Sequence, residues 1–112
     1  MMTNEEFEDI VRQTIDDLPP EFKSQLDNVE VIIEDGESDP YLLGLYHGIP
    51  KTERYSYSAL PDTITIFKEP ILRIAADLKD AKRIIRSTVL HEIGHHFGLS
   101  DEQLRRIEKR RV

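Results

Sequence analysis

Two histidines with a glutamate between them are the residues of this sequence best suited to chemistry. His91 and His95 lie four positions apart, and residues at that spacing project from nearly the same face of an α-helix. Both imidazoles can therefore turn a ring nitrogen toward one cation, as zinc-binding helices do. Glu92 lies about 100° around the helix from His91, so its carboxylate can reach a water beside the metal without being a natural ligand. The spacing predicts a zinc ion held by His91 and His95, with Glu92 as the general base.

The residues that follow this pair extend the pattern. Gly98 can adopt a positive φ, which would end the helix and turn the chain back. That turn would bring Asp101 round to the same metal as a third protein ligand. Three protein ligands leave one position of a tetrahedral zinc for a water of lowered pKa, and this open position is typical of hydrolytic sites. The alternative, a helix whose two histidines only join a polar network, explains neither Gly98 nor Asp101.

Three other residues are weaker candidates for the metal. Glu108 is a later carboxylate, but it lies toward the far end of a separate short helix. His96 points about 140° away from His91 on the helical wheel, which favours a place beside the ligands or at the edge of the core. His47 stands in a loop with glycine and proline, where exposure to solvent is the simplest interpretation. Substrate contact and a fourth metal ligand are the alternatives for His47.

Length, charge and cysteine content limit the class of protein. The 112 residues are enough for one modest core, so we expect a single domain over residues 1–112. The formal net charge of -7 argues against nucleic acid or an anionic membrane as the main partner. The sequence shows no signal peptide pattern and no membrane span, and cysteine is absent. We therefore expect a soluble protein of the cytoplasm, with histidine and carboxylate as its strong metal ligands.

Hydrophobic periodicity predicts the elements that position the motif. A capping box at Thr3 and Glu6 begins an amphipathic helix that Pro19 and Pro20 stop. The predicted strands are residues 29–34, 41–46 and 63–67, with a weaker edge strand at 55–57. The predicted motif helix covers residues 81–97 after a cap at Asp80, and a short final helix covers residues 101–110. This order predicts an α+β domain: an amino-terminal helix, a mixed sheet of three to four strands, the motif helix across it and a short carboxyl-terminal helix.

The motif from His91 to Asp101 resembles that of the zincin metallopeptidases, and most of the chain is similar to their minimal bacterial branch. Residues 44–50, 60–67 and 89–99 resemble recurring blocks of that small family, so the likeness covers roughly residues 3–108. The resemblance implies a zinc-dependent hydrolase with His91, His95 and Asp101 as ligands and Glu92 as general base. It also implies a peptide or unstructured protein as the substrate.

The resemblance leaves the substrate side of the site open. Peptide hydrolysis needs a donor to the developing oxyanion, and Tyr46, His47, Tyr55 and Tyr57 are candidates by position between strands. Large zincins build the lower wall of their cleft after the motif, whereas 14 residues follow Gly98 here. Three hypotheses follow: a peptide lies along one sheet edge, a second copy of the chain completes the cleft as a homo-oligomer, or the domain is a non-catalytic metal-binding interaction or regulatory module.

Overall fold

A mixed sheet and four helices make up the part of the chain that the structure describes. The structure is a computed structural model, and it describes residues 2–24, 26, 28–48, 61–99, 102, 103 and 106. The elements, in chain order, are α1 (Asn4–Asp16), α2 (Pro20–Lys23), β1 (Val29–Glu34), β2 (Gly44–His47), β3 (Asp62–Phe67), α3 (Lys68–Ile74) and α4 (Leu78–His96). The prediction of an α+β domain is confirmed. None of the described helices is long and apolar enough to cross a bilayer.

The first helix begins where the capping box predicts. The backbone N–H of Glu6 donates to the Thr3 hydroxyl at 3.1 Å, and the N–H of Thr3 donates to the Glu6 carboxylate at 2.8 Å. That second hydrogen bond holds the pKa of Glu6 below its usual value. Phe7 and Val11 are buried on the inner face, which packs against α4. The local sequence thus sets the start of α1, and burial of its apolar stripe holds α1 against α4.

The sheet has three described strands in the order β1-β3-β2. β1 pairs parallel with β3, and β2 pairs antiparallel with β3. Alternation along β3 buries Asp62, Ile64 and Ile66. The predicted edge strand at 55–57 lies outside the described residues.

The second strand is shorter than predicted and shifted toward the carboxyl end. It begins at Gly44 rather than Tyr41 and includes His47, which was expected to break it. The reason is a side-chain turn at Asp39, whose carboxylate accepts the N–H of Tyr41 at 2.9 Å. Tyr41 therefore lies in the turn, where its side chain is exposed. The local hydrogen bond outweighs the strand propensity of this apolar run.

A short helix, α3, follows β3 directly and was not predicted. Pro70 occupies the third position of α3. The first N–H groups of a helix have no partner within it, so proline is tolerated in the first turn. Ile71 of α3 is fully buried and helps close the core beside α4.

The motif helix begins one turn earlier than predicted. Asp77 is the N-cap, and its carboxylate accepts the N–H of Asp80 at 2.8 Å. Asp80, the predicted cap, lies at the third helical position, where it accepts the N–H of Ala76 at 2.9 Å. This hydrogen bond, with a second from Arg83, holds the pKa of Asp80 below its usual value. The apolar face of α4 is buried against β2, β3 and α1, and its buried residues include Ala81, Ile84, Ile85, Val89, Leu90 and Ile93.

The end of α4 confirms that Gly98 adopts a positive φ and ends the helix, as predicted. Its φ is 72°, and its N–H donates to the carbonyl of His95 at 3.0 Å. The N–H of Leu99 donates to the carbonyl of Gly94 at 2.9 Å, which completes a Schellman motif. Beyond it, Glu102, Gln103 and Arg106 have helical backbone geometry, and the rest of the predicted final helix lies outside the described residues.

Replacing Gly98 with alanine is expected to lower the free energy of unfolding by about 1–2 kcal/mol, because a Cβ disfavours positive φ. Urea denaturation followed by circular dichroism measures this change. Gly36→Ala is the matched control, since a Cβ there would meet the Glu69 carboxylate at an ordinary 3.6 Å. Equal stability of the Gly98→Ala variant and the wild type would contradict the assignment of this turn.

Candidate metal centre

The structure brings together three residues of the motif in one group. The potential ligand atoms of His91, Glu92 and His95 all lie within 4.8 Å of one another, and we call this group the His–Glu cluster. The two imidazole rings are 4.6 Å apart between centroids, at an interplanar angle of 73°. The side chain of His95 is 38% exposed, whereas that of Glu92 is 9% exposed. The cluster therefore has an open histidine side and a nearly buried carboxylate side.

A hydrogen bond within the cluster indicates which nitrogen of His95 is available to a metal. Nδ1 of His95 lies 3.2 Å from Oε1 of Glu92. A carboxylate only accepts hydrogen bonds, so Nδ1 of His95 carries the hydrogen and donates it. The lone pair of the neutral ring is then on Nε2, where a metal can take it. Glu92 thus orients one of the two imidazoles.

The donor set and its place on α4 suit a divalent cation. Two imidazoles and a carboxylate are ligand types that zinc accepts. The cluster lies in the last two turns of α4, where the partial negative charge of the helix carboxyl end favours a cation. Among the residues that the structure describes, this is the one group of histidine and acidic side chains close enough to hold a metal.

Glu92 is held in place by close contact with the second strand. An added Cβ at Gly44 would lie 2.8 Å from Cγ2 of Thr88 and 3.0 Å from Cγ of Glu92. It would also lie 3.3 Å from Oε2 of Glu92. Only glycine allows β2 to approach α4 this closely. The contact fixes the Glu92 carboxylate between the strand and the helix.

Gly44→Ala is expected to lower the free energy of unfolding by about 1–3 kcal/mol, because an added methyl group overpacks this contact. Thr88→Ser in the same background should recover part of the loss, since it removes the Cγ2 atom and keeps the hydroxyl that donates to Ile84. Urea denaturation of the single and double variants measures both effects. If the Gly44→Ala variant were as stable as the wild type, β2 and α4 would have to be farther apart at Gly44 than in this structure.

A buried carboxylate beside the cluster was not singled out by the sequence. Oδ2 of Asp62 accepts a hydrogen bond from the Tyr46 hydroxyl at 2.5 Å and another from Nδ1 of His96 at 2.6 Å. Asp62 and His96 are each 1% exposed. The available signal was the period of β3, which puts Asp62 on the same face as Ile64 and Ile66. His96 follows His95 in the chain and is buried inside the core, in agreement with its direction on the helical wheel.

The remaining predicted site residues fall into two groups. Tyr46 lies on β2 with its ring 6.3 Å from that of His95, and its hydroxyl donates to Asp62. His47 is exposed at the end of β2. The predicted ligand Asp101, the rival Glu108 and the candidates Tyr55 and Tyr57 lie outside the described residues, and their roles stay predictions.

Known proteins resemble this chain in the region of the cluster. A family model described as "Zincin-like metallopeptidase" matches residues 26–111. A solved structure of a conserved hypothetical protein from Thermo thermophilus is similar, with a TM-score of 0.58 and 26% identity, over 86% of this chain and 94% of that one. The comparison with curated proteins found no match. The family match spans the three strands, α4 and the His–Glu cluster.

Proposed function

This chain belongs to the zincin-like metallopeptidase family, and we propose that it is a zinc-dependent peptidase with Glu92 as its general base. The observation that carries this proposal is the His–Glu cluster itself. Its two imidazoles lie close enough to share one cation, with the Glu92 carboxylate beside them, and the partly exposed His95 opens the cluster to a substrate. A purely structural zinc site is closed by a fourth protein ligand and needs no such base.

His91 and His95 would hold the zinc, with Asp101 as the third ligand on the sequence pattern. The bound ion would supply a polarised substrate carbonyl and a water of lowered pKa. Glu92 is not needed as a ligand in this assignment, because Asp101 would take the third protein position and leave the fourth to water. Its carboxylate is then available to the reaction.

Glu92 moves the proton in the proposed reaction. One carboxylate oxygen accepts a proton from the attacking water as the oxygen of that water bonds to the carbonyl carbon. The carboxylic acid then gives this proton to the leaving amine nitrogen as the peptide bond breaks. Packing against Gly44 limits the movement of the side chain during these steps. A fixed carboxylate keeps its oxygen within hydrogen-bond reach of the water.

The second strand offers a place for an extended peptide. β2 pairs with β3 on one side, and its other edge pairs with none of the described strands. A peptide can add to such an edge through main-chain hydrogen bonds, and the contact of Gly44 with Glu92 brings this strand beside the base. We propose a peptide or an unstructured protein segment as substrate. A cytoplasmic location and a homo-oligomer that completes the cleft stay predictions.

The test compares zinc content with peptide cleavage. Purified protein is stripped with a chelator, reloaded with zinc, dialysed, and assayed by mass spectrometry against a diverse peptide library. The proposal predicts one zinc per chain and cleavage that disappears on chelation and returns with zinc. Bound zinc without any cleavage would favour the alternative, a non-catalytic metal-binding interaction or regulatory module. A protein that binds no zinc would contradict both.

A further inference from the structure

A buried hydrogen-bonded group joins the sheet to the end of α4. It consists of Tyr46 on β2, Asp62 on β3 and His96 on α4, and we call it the Asp62 clamp. Both Tyr46 and His96 donate to the same oxygen of Asp62, at 2.5 and 2.6 Å. These distances are short for such bonds, which is typical of donors facing a carboxylate. The clamp therefore adds a directional side-chain contact that joins β2, β3 and α4.

Burying the polar side chains of the clamp costs free energy. The side chains of His96 and Asp62 are 1% and 2% exposed. Removing a carboxylate and an imidazole from water costs several kcal/mol, which their hydrogen bonds offset only in part. Apolar residues of similar volume would stabilise a core at least as well. The buried pair of Asp62 and His96 is thus better explained by an effect on the orientation of α4 than by a gain in the stability of the core.

One face of β2 is shaped around this contact. Gly44, Tyr46 and Gly48 alternate along the chain and so share a face. Gly44 lies against Thr88 and Glu92 of α4, and an added Cβ at Gly48 would overlap the carboxylate of Asp62. This side of the strand accordingly contacts the general base at one end and the clamp at the other.

Through His96 the clamp contacts the last turn of α4, which also carries His95. His96 follows His95 directly, so a shift of one moves the other. A ring nitrogen about 6 Å from the helix axis moves by about 1 Å when the helix rotates by about 10°. Metal–ligand distances tolerate only about 0.2 Å. His91 lies one turn earlier in α4, so a rotation of the last turn alone would move the His95 nitrogen relative to the His91 nitrogen and separate the two from a common metal position.

We propose that Asp62 is a positioning residue for the metal site. By holding His96, it fixes the last turn of α4 relative to the turn before it and so directs the imidazoles of His95 and His91 toward one ion. This inference rests on the zinc site of the proposed function, but it concerns zinc affinity and not cleavage. Removal of the acceptor at Asp62 should weaken zinc binding even when the protein stays folded.

The test measures the zinc dissociation constant of Asp62 variants by competition with a chromogenic chelator. Asp62→Ala is expected to weaken binding about 10-fold or more, the lower end for residues that orient ligands. Asp62→Asn keeps an acceptor oxygen for both donors and should stay within about threefold of the wild type. Val11→Ala removes buried methyl groups of α1, away from the site, and is the control for loss of stability alone. Urea denaturation of the zinc-free proteins gives the stability of each variant.

Substitutions at His96 form a second arm if Asp62→Ala does not fold. His96→Asn retains an N–H near the position of Nδ1, whereas His96→Leu, of similar size, has no donor. We expect the leucine variant to bind zinc about 10-fold more weakly than the asparagine variant. Equal affinities within either pair, or a loss in Val11→Ala that matches the loss in Asp62→Ala, would overturn the positioning role. A wild-type protein without zinc would instead overturn the proposed function, and this inference with it.

Discussion

Glu92→Gln is expected to lower the rate of peptide cleavage by about 10²–10⁴-fold, the range for removal of a general base. The amide has nearly the shape of the carboxylate, so the contact with Gly44 is retained. It cannot accept the proton of the attacking water, and this is the step that the substitution removes. Zinc content should stay at the wild-type level, because Glu92 is the base and not a ligand in the proposed site.

The control for this variant is Glu30→Gln, which makes the same chemical change at an exposed position of β1. Its cleavage rate should equal that of the wild type. Both variants are compared at saturating zinc, with the metal content of each sample measured in parallel. A Glu92→Gln variant that cleaves as fast as Glu30→Gln would remove Glu92 from the mechanism. A loss of zinc in Glu92→Gln would instead identify Glu92 as a ligand.

His95→Ala is expected to remove the stabilisation that zinc gives to the folded protein. A ligand that binds only the folded state at about 100 times its dissociation constant adds about 2.7 kcal/mol to the free energy of unfolding. The wild type should show a gain of this size, and His95→Ala should show almost none. The zinc-free variant should still fold, because His95 is 38% exposed and contributes little to the core.

Urea denaturation with and without zinc measures this difference. His47→Ala is the matched control for metal binding, since it removes an exposed histidine that lies on β2. It should retain the full gain in stability with zinc. If His95→Ala gained as much stability from zinc as His47→Ala does, the ion would be bound elsewhere on the chain.

The sequence predicted the parts of the site that depend on local spacing. The four-residue spacing of His91 and His95 needs only a helix to bring the rings together, and α4 provides it. The turn at Gly98 follows from the conformational freedom of that residue and is present with a φ of 72°. Strand β1 has the predicted bounds because its β-branched run is flanked by turn residues.

The features that the sequence did not predict are of two kinds. Some arise where two local sequence signals favour different structures, and others depend on contacts between residues that are distant in the chain. Pro70 lies in the first turn of α3, a position that tolerates proline, although a proline after an apolar run also fits the end of a strand. The carboxylate of Asp39 accepts the N–H of Tyr41 and so places Tyr41 in a turn instead of a strand. The Asp62 clamp joins residues 34 and 16 positions apart, and no local pattern reports such a contact. The close packing of Gly44 on Glu92 likewise appears only when β2 and α4 are placed together.

The most direct test of the metal site is a crystal structure of the zinc-loaded protein with anomalous diffraction at the zinc edge. Our account predicts one peak about 2.0–2.2 Å from a ring nitrogen of His91, a ring nitrogen of His95 and a carboxylate oxygen of Asp101. The carboxylate of Glu92 should lie outside the coordination shell and face the open position. A zinc peak away from His91 and His95, or one coordinated by Glu92 in place of Asp101, would contradict the account.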